Sequence, residues 1–216
     1  MSEKNSRDEI MKSLLNRSFY DSVGGTSLSE VATAAGIKKS SIYNHFNSRD
    51  DLIIQTTKSC GEYIAQINFI PEKIDEVTKK YDASAVLTGI VKRYLKMHLK
   101  SPLFQIYTFI QTQKHFDSEA VLIAQRHTAL LISQAEQVFS SLVKNKKLNL
   151  SAAKLENAAM LFVYGTEKLL SDFLAEVKKT VLANPRGNED FVFQGEDELL
   201  ERAASFAEKF LSVSAT

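Results

Sequence analysis

Twenty residues, Ser27 to Phe46, constrain this chain more than any others, because their pattern forces two short helices to meet across a tight turn. Ser27 followed by Glu30 has capping-box spacing, so a helix starts there. Leu28, Val31, Ala32 and Ala35 recur at helical spacing, and Gly36 supplies the permissive backbone of a helix-ending turn. Ile37 is placed under that turn. Ile42 and Phe46, four apart, give a second helix its inner face, which leaves Lys38, Lys39, Ser40, Ser41, Tyr43, Asn44 and His45 outward. Two helices crossing on small alanines form a helix-turn-helix, whose second helix enters the major groove of DNA. The outward residues suit that role, since lysines neutralise phosphate, hydroxyls bond its oxygens, and Asn44 or Lys39 can meet base edges. An ordinary surface hairpin has the same helical pattern.

The flanks add to this reading. Thr26-Ser27-Leu28, Val31-Ala32, Ala35-Gly36-Ile37, Ile42-Tyr43-Asn44-His45-Phe46 and Arg49-Asp50-Asp51-Leu52 follow in order. In that order they resemble the TetR family of bacterial transcription regulators across the first fifty-odd residues. The resemblance implies an N-terminal three-helix DNA-binding head over 1–47 and a ligand-binding and dimerisation body over 48–216. It implies that Thr26, Ser27, Lys38, Lys39, Ser40, Ser41, Tyr43, Asn44 and His45 face DNA. Two positions depart from the family pattern. Lys38 stands where a Ser or Thr cap is usual, losing a cap and adding a cation, and Arg49 replaces a Lys.

The remaining chain reads as all-α. A first helix is expected over about 6–21, with Ile10, Leu14, Leu15 and Phe19 inward, and Lys4 and Arg7 at its frayed start. Ser48 and Asp51 suggest a second capping box opening a connector helix toward Ile67, stopped by Pro71. From Asp82 onward helices are expected over about 83–100, 102–115, 118–143, 151–182 and 196–213, making the body a helix bundle. The 183–195 loop, with Phe191 and Phe193, is long for a connector.

Composition adds exclusions. With 27 Lys and Arg against 26 Asp and Glu the net charge is +1, and residues 1–50 hold seven cations against six acids, so any DNA contact depends on placement rather than balance. Cys60 is the sole cysteine, which precludes an intrachain disulfide; with no signal peptide expected, the compartment expected is the reducing cytoplasm. Nothing in the sequence matches a metal site, a phosphate loop or an activated nucleophile, so neither enzymatic activity nor a cofactor is expected.

What the body offers instead is polar groups set among apolar and aromatic ones. Tyr94, Met97, His98, Tyr107, Phe109, Gln111, His127, Gln134, Met160 and Tyr164 are the candidate lining of a small-molecule pocket, and core packing is the alternative for each. The last two long helices are apolar over more than one face. Together with the pairing that the resemblance implies, this puts Ala158, Ala159, Phe162, Leu169, Phe173, Leu199, Ala203, Phe206 and Phe210 in a homodimer interface. The expectation is a homodimeric regulator, a repressor released from operator DNA by a small apolar or aromatic molecule. The competitors are a helical regulator answering to a protein partner or acting architecturally, and an enzyme built in the bundle.

Overall fold

The structure is a computed structural model that describes residues 3–183 and 195–214, and all the regular structure among them is helical. The helices are α1 (Glu3–Gly25), α2 (Leu28–Ala34), α3 (Lys39–Ile42), α4 (Arg49–Ala65), α5 (Ile74–Lys80), α6 (Ala83–His98), α7 (Leu103–Gln113), α8 (Ser118–Lys144), α9 (Ala152–Ala183) and α10 (Glu196–Ser214). The chain divides into two compact units: Met1–Gln66 with Ser101–His127, and Ile67–Lys100 with Thr128–Thr216.

The first unit has two apolar clusters. One gathers Ile10 and Leu14 of α1, Val31 and Ala32 of α2, Ile42, Phe46, and Leu52 of α4. The other gathers Leu15, Val23, Cys60, Ile64, Ile106, Phe109, Ile110 and Ile123. Cys60 is a packing residue there, and burial pushes its thiol up to about 12, far from any reactive range. Gly61 lies against Ile123: a Cβ at position 61 would sit 2.9 Å from that side chain, so glycine sets how closely the backbone approaches it. The helical pattern of α1 breaks at Ser22, whose φ of 63° turns the chain toward α2.

In the second unit the core centres on an aromatic group drawn from three helices. Phe139 of α8 meets Phe162 of α9 edge-on at 5.6 Å between ring centroids, and Phe206 and Phe210 of α10 lie 5.7 and 5.2 Å from Phe162. Arg202 of α10 bonds Glu198 and, across to α9, Glu176, while its guanidinium lies over the Phe173 ring. The unexpected element is α5. It is tied to α8 by polar groups: Ser141 donates to Asp75, Thr78 and Ser141 share a 2.7 Å bond, and Asn145 donates to Thr78. Lys144, then Ser141, hold the Asp75 carboxyl below its ordinary range.

The stripe expected at a dimer interface lies, for the most part, inside the single chain. Ala158, Ala159, Phe162, Phe173, Leu199 and Ala203 are buried within this one chain, and Leu169, Phe206 and Phe210 are half-buried. Much of the extra apolar width of α9 and α10 is thus buried inside the unit, where α6 packs against both helices. The apolar side chains those helices do expose are others, among them Leu161 (59 % exposed), Tyr164 (51 %) and Leu200 (43 %). The 183–195 loop, with Phe191 and Phe193, falls for the most part outside the described residues.

Gly165 of α9 sets the approach of α10, because a Cβ there would come within 2.6 Å of the Phe206 ring. That ring is held against Phe162 and Phe210, so it cannot retreat without disturbing the group. Gly165→Ala should therefore destabilise the fold by about 1–3 kcal/mol. Gly89→Ala, in α6 with open space around it, should be neutral or stabilise by up to about 1 kcal/mol. Urea denaturation of both variants checks the pair, and an unaffected Gly165→Ala would mean that the ring can move freely.

Candidate functional site

The exposed face of the head is built on its apolar one. The capping box at the start of α2 is complete: the Ser27 hydroxyl accepts from the Glu30 amide at 3.2 Å, and the Glu30 carboxylate accepts from the Ser27 amide at 2.8 Å. That amide, then the hydroxyl, with Arg17 3.6 Å away, holds the Glu30 carboxyl below its usual range. At the other end Gly36 is left-handed (φ 66°). Ile37 donates to the Ala32 carbonyl and Gly36 to that of Thr33, a Schellman ending that aims the chain into α3.

Only residues 39–42 of the second helix are α-helical. Tyr43, Asn44 and His45 donate three residues back, to Ser40, Ser41 and Ile42, so the α-helix tightens into 3₁₀-type turns before Phe46 returns to the core. Lys38 takes the N-cap position with no side-chain capping bond, as its departure from Ser or Thr implies. Lys38, Lys39, Ser40, Tyr43 and Asn44 are exposed, Tyr43 to 53 %, while Ser41 and His45 are half-exposed. Ser27 is exposed with its hydroxyl engaged in the cap. Thr26 departs from expectation: it is buried, and its hydroxyl donates to the Ser22 carbonyl at 2.7 Å, so it supports the turn from inside.

Two supports were not legible in the pattern. Arg49, at the first position of α4, donates to the Val23 and Thr26 carbonyls, the latter at 3.2 Å, and so ties α4 to the turn between α1 and α2. Both bonds are donated by one guanidinium nitrogen, Nη2. Arg7 lies over the Phe46 ring at 4.9 Å instead of trailing into solvent; the Lys4 side chain falls outside those described. The second capping box is half-formed. Ser48 accepts from the Asp51 amide, but Asp51 reaches back to Asn47 rather than to Ser48.

The residues expected to line a pocket belong to both units. Phe109 is in the core of the first unit, and Tyr107, Gln111 and His127 belong to that unit too, Gln111 accepting from Lys114. In the second unit Tyr164 is on the surface, and Met97 and Met160 are half-buried and outside the lining of the cavity that Tyr94 and Gln134 share. Tyr94 and Gln134 do meet, in a cavity of about 30 Å³ walled by Phe69, Ile70, Ile90, Leu131, Ala135, Val138, Phe162, Val163 and Thr166. Gln134 spans to the chain after α4: its amide oxygen accepts from the Phe69 amide at 3.0 Å and its nitrogen donates to the Ile67 carbonyl. His98 stands behind this wall, stacked on Phe69 at 5.6 Å with its Nδ1 2.9 Å from the Tyr94 carbonyl oxygen. Sequence periodicity gave no sign of Phe69, Ile70 or Thr166, because the first two lie in a non-helical stretch and a lone threonine carries no pattern.

Residues 22–56 match the family model described as bacterial regulatory proteins, tetR family. Over 101 residues the chain is 25 % identical to the biofilm operon icaADBC HTH-type negative transcriptional regulator IcaR of Staphylococcus aureus (strain Newman), a match covering 44 % of this chain. The chain spans about half the length of the curated relatives it matches, 52 % for IcaR. Among solved structures, a transcriptional regulator from Rhodococcus sp. Rha1 superposes with a TM-score of 0.60 at 13 % identity, over 97 % of this chain and 98 % of that one. FadR from Bacillus subtilis, solved in complex with stearoyl-CoA, superposes at 0.57 and 13 % identity, over 95 % and 97 %. The fold is that of these regulators, as the sequence resemblance implied.

Burial pushes the His98 imidazole down to about 4, its bond to the Tyr94 carbonyl opposing the shift. The folded ring stays neutral to about that pH, whereas an unfolded one protonates near 6.5. The unfolded state therefore binds more protons between the two values, and stability falls as pH drops through that window, by up to about 1.4 kcal/mol per unit. Denaturation at pH 7.5, 6 and 5 should show this slope in the native chain and a shallower one in His98→Phe; equal slopes would place the titration elsewhere.

Proposed function

We propose that this chain, with its tetR-family head and a body of the same fold as the solved regulators, is a homodimeric DNA-binding transcription regulator working in the cytoplasm. By analogy with IcaR, a negative regulator, its action is repression. The carrying observation is the division of residues 37–46. Ile37, Ile42 and Phe46 are packed into the head, and every exposed side chain between them is a cation, hydroxyl, amide, phenol or imidazole. Such a surface, convex and one helix wide, suits a major groove. Residues 1–47 then act as the reading head, and 48–216 carry dimerisation and effector response.

Two heads must sit about one helical turn of DNA apart to bind together, so an effector that favours one body conformation over another alters operator affinity. The cavity beside Tyr94 and Gln134 is where we place that effector, a small, largely apolar molecule. Support comes from its apolar wall and from FadR, which holds stearoyl-CoA in the same fold. Its volume, about 30 Å³, requires the wall to open around a guest. That same volume favours the second reading, a regulator answering to a protein partner with no small ligand. Dimerisation is assigned to the outward face of α9 and α10, around Leu161, Tyr164 and Leu200.

Two experiments test the proposal. Lys39→Ala, Tyr43→Ala and Asn44→Ala should weaken operator binding while leaving the fold and oligomeric state intact. A lost base contact costs about 1–3 kcal/mol, and a lost phosphate contact lowers the salt slope by about one. Mobility shifts at two salt concentrations read both, and undiminished affinity in all three would remove the head from DNA. The double variant Leu161→Glu, Tyr164→Glu, at positions exposed in the single chain, should fold yet sediment as a monomer; a dimer would place the interface elsewhere.

A further inference from the structure

The cavity wall holds two hydroxyl-bearing residues, Tyr94 and Thr166. Thr166 of α9 is 7 % exposed, and its hydroxyl has no hydrogen-bond partner among the described residues. Threonines elsewhere in these helices, such as Thr56, Thr57 and Thr108, return their hydroxyls to the carbonyl four residues back. Thr166 does not, and it lines the cavity. A buried polar group without a partner carries a desolvation penalty that a guest or a water can relieve.

The rest of the wall sets what that guest can be. None of the lining side chains is charged. Gln134 has both ends of its amide committed to the 67–69 backbone, and His98, behind Phe69 and Tyr94, is held neutral by burial. An anionic head placed here would lose its hydration and find no cation, which is strongly unfavourable. A hydrocarbon would satisfy the apolar wall and leave the threonine hydroxyl unpaired. We infer that the cavity selects an uncharged, compact apolar molecule bearing one hydroxyl or carbonyl group, which pairs with Thr166 Oγ1. The inference rests on the proposal that the cavity is the effector site and narrows it to a chemical class, excluding carboxylates and phosphate-bearing groups from the cavity itself.

Three probes of nearly equal shape separate the possibilities: cyclohexanol, methylcyclohexane and cyclohexanecarboxylate, titrated into the full chain by NMR. Cyclohexanol should bind about fivefold or more tightly than methylcyclohexane, the gain of one neutral hydrogen bond, and the carboxylate at least about tenfold more weakly than cyclohexanol. Thr166→Val, which keeps shape and removes the hydroxyl, should abolish the preference for the alcohol, and Thr166→Ser should restore it. A carboxylate that binds as well as the alcohol, or a preference unchanged in Thr166→Val, would overturn the class while leaving the cavity as an effector site. If none of the three binds and Thr166→Val melts higher than the native chain, the space holds a structural water, and both the class and the effector site fail. The DNA-binding half of the proposed function is judged separately by its own mobility shifts.

Discussion

A helix of four residues has no stability of its own, since nucleating one turn fixes several backbone angles for a single hydrogen bond. The α3 segment therefore depends on being held from outside. Ile42 and Phe46 reach into the cluster with Ile10, Leu14, Val31 and Leu52, so three other helices determine where this one lies. Arg49 adds a directional tie between α4 and the α1–α2 turn, and the Schellman ending at Gly36 fixes the angle at which the chain enters. The geometry of the exposed face is set by groups that do not belong to it.

The same dependence marks which parts of the structure were legible beforehand. The capping box at Ser27 and the left-handed Gly36 are local devices, determined by residues within a few positions of one another, and both are as the spacing predicts. Long helices with sustained apolar periodicity, α8 and α9 above all, have nearly the predicted bounds. The shortening of α3 was not legible, because whether a terminal turn tightens depends on the core that draws Phe46 inward. Nor was α5: seven residues with two apolar positions make no helical signal, and what orders them is the remote polar set on α8, Ser141, Lys144 and Asn145.

Periodicity alone could not place the dimer stripe or the pocket set, for one shared reason. Periodicity tells which residues share a helix face, and says nothing of what lies opposite. Ala158, Phe162 and Phe173 do share a face, as the spacing required, yet all three are buried in the single chain, Phe162 against the α8 and α10 aromatics. In the same way Phe109 and Tyr94 both read as aromatic residues beside polar ones, and one packs with Cys60 while the other walls a cavity. Deciding between them needs tertiary partners far apart in sequence. Gln134 is the clearest case, its amide claimed by backbone 65 and 67 residues earlier.

The head keeps two sets of side chains apart. Ile37, Ile42 and Phe46 are engaged in packing, whereas Lys38, Lys39, Ser40, Tyr43 and Asn44 are exposed. Exposed positions away from caps and cores tolerate substitution within about half a kcal/mol. Mutational drift can thus rewrite the presented chemistry of this surface one residue at a time without passing through an unfolded intermediate sequence. Duplicated copies of such a gene could diverge in what they recognise while inheriting an unchanged scaffold, and the positions closed to that divergence would be the buried ones together with the Ser27 cap and the left-handed Gly36.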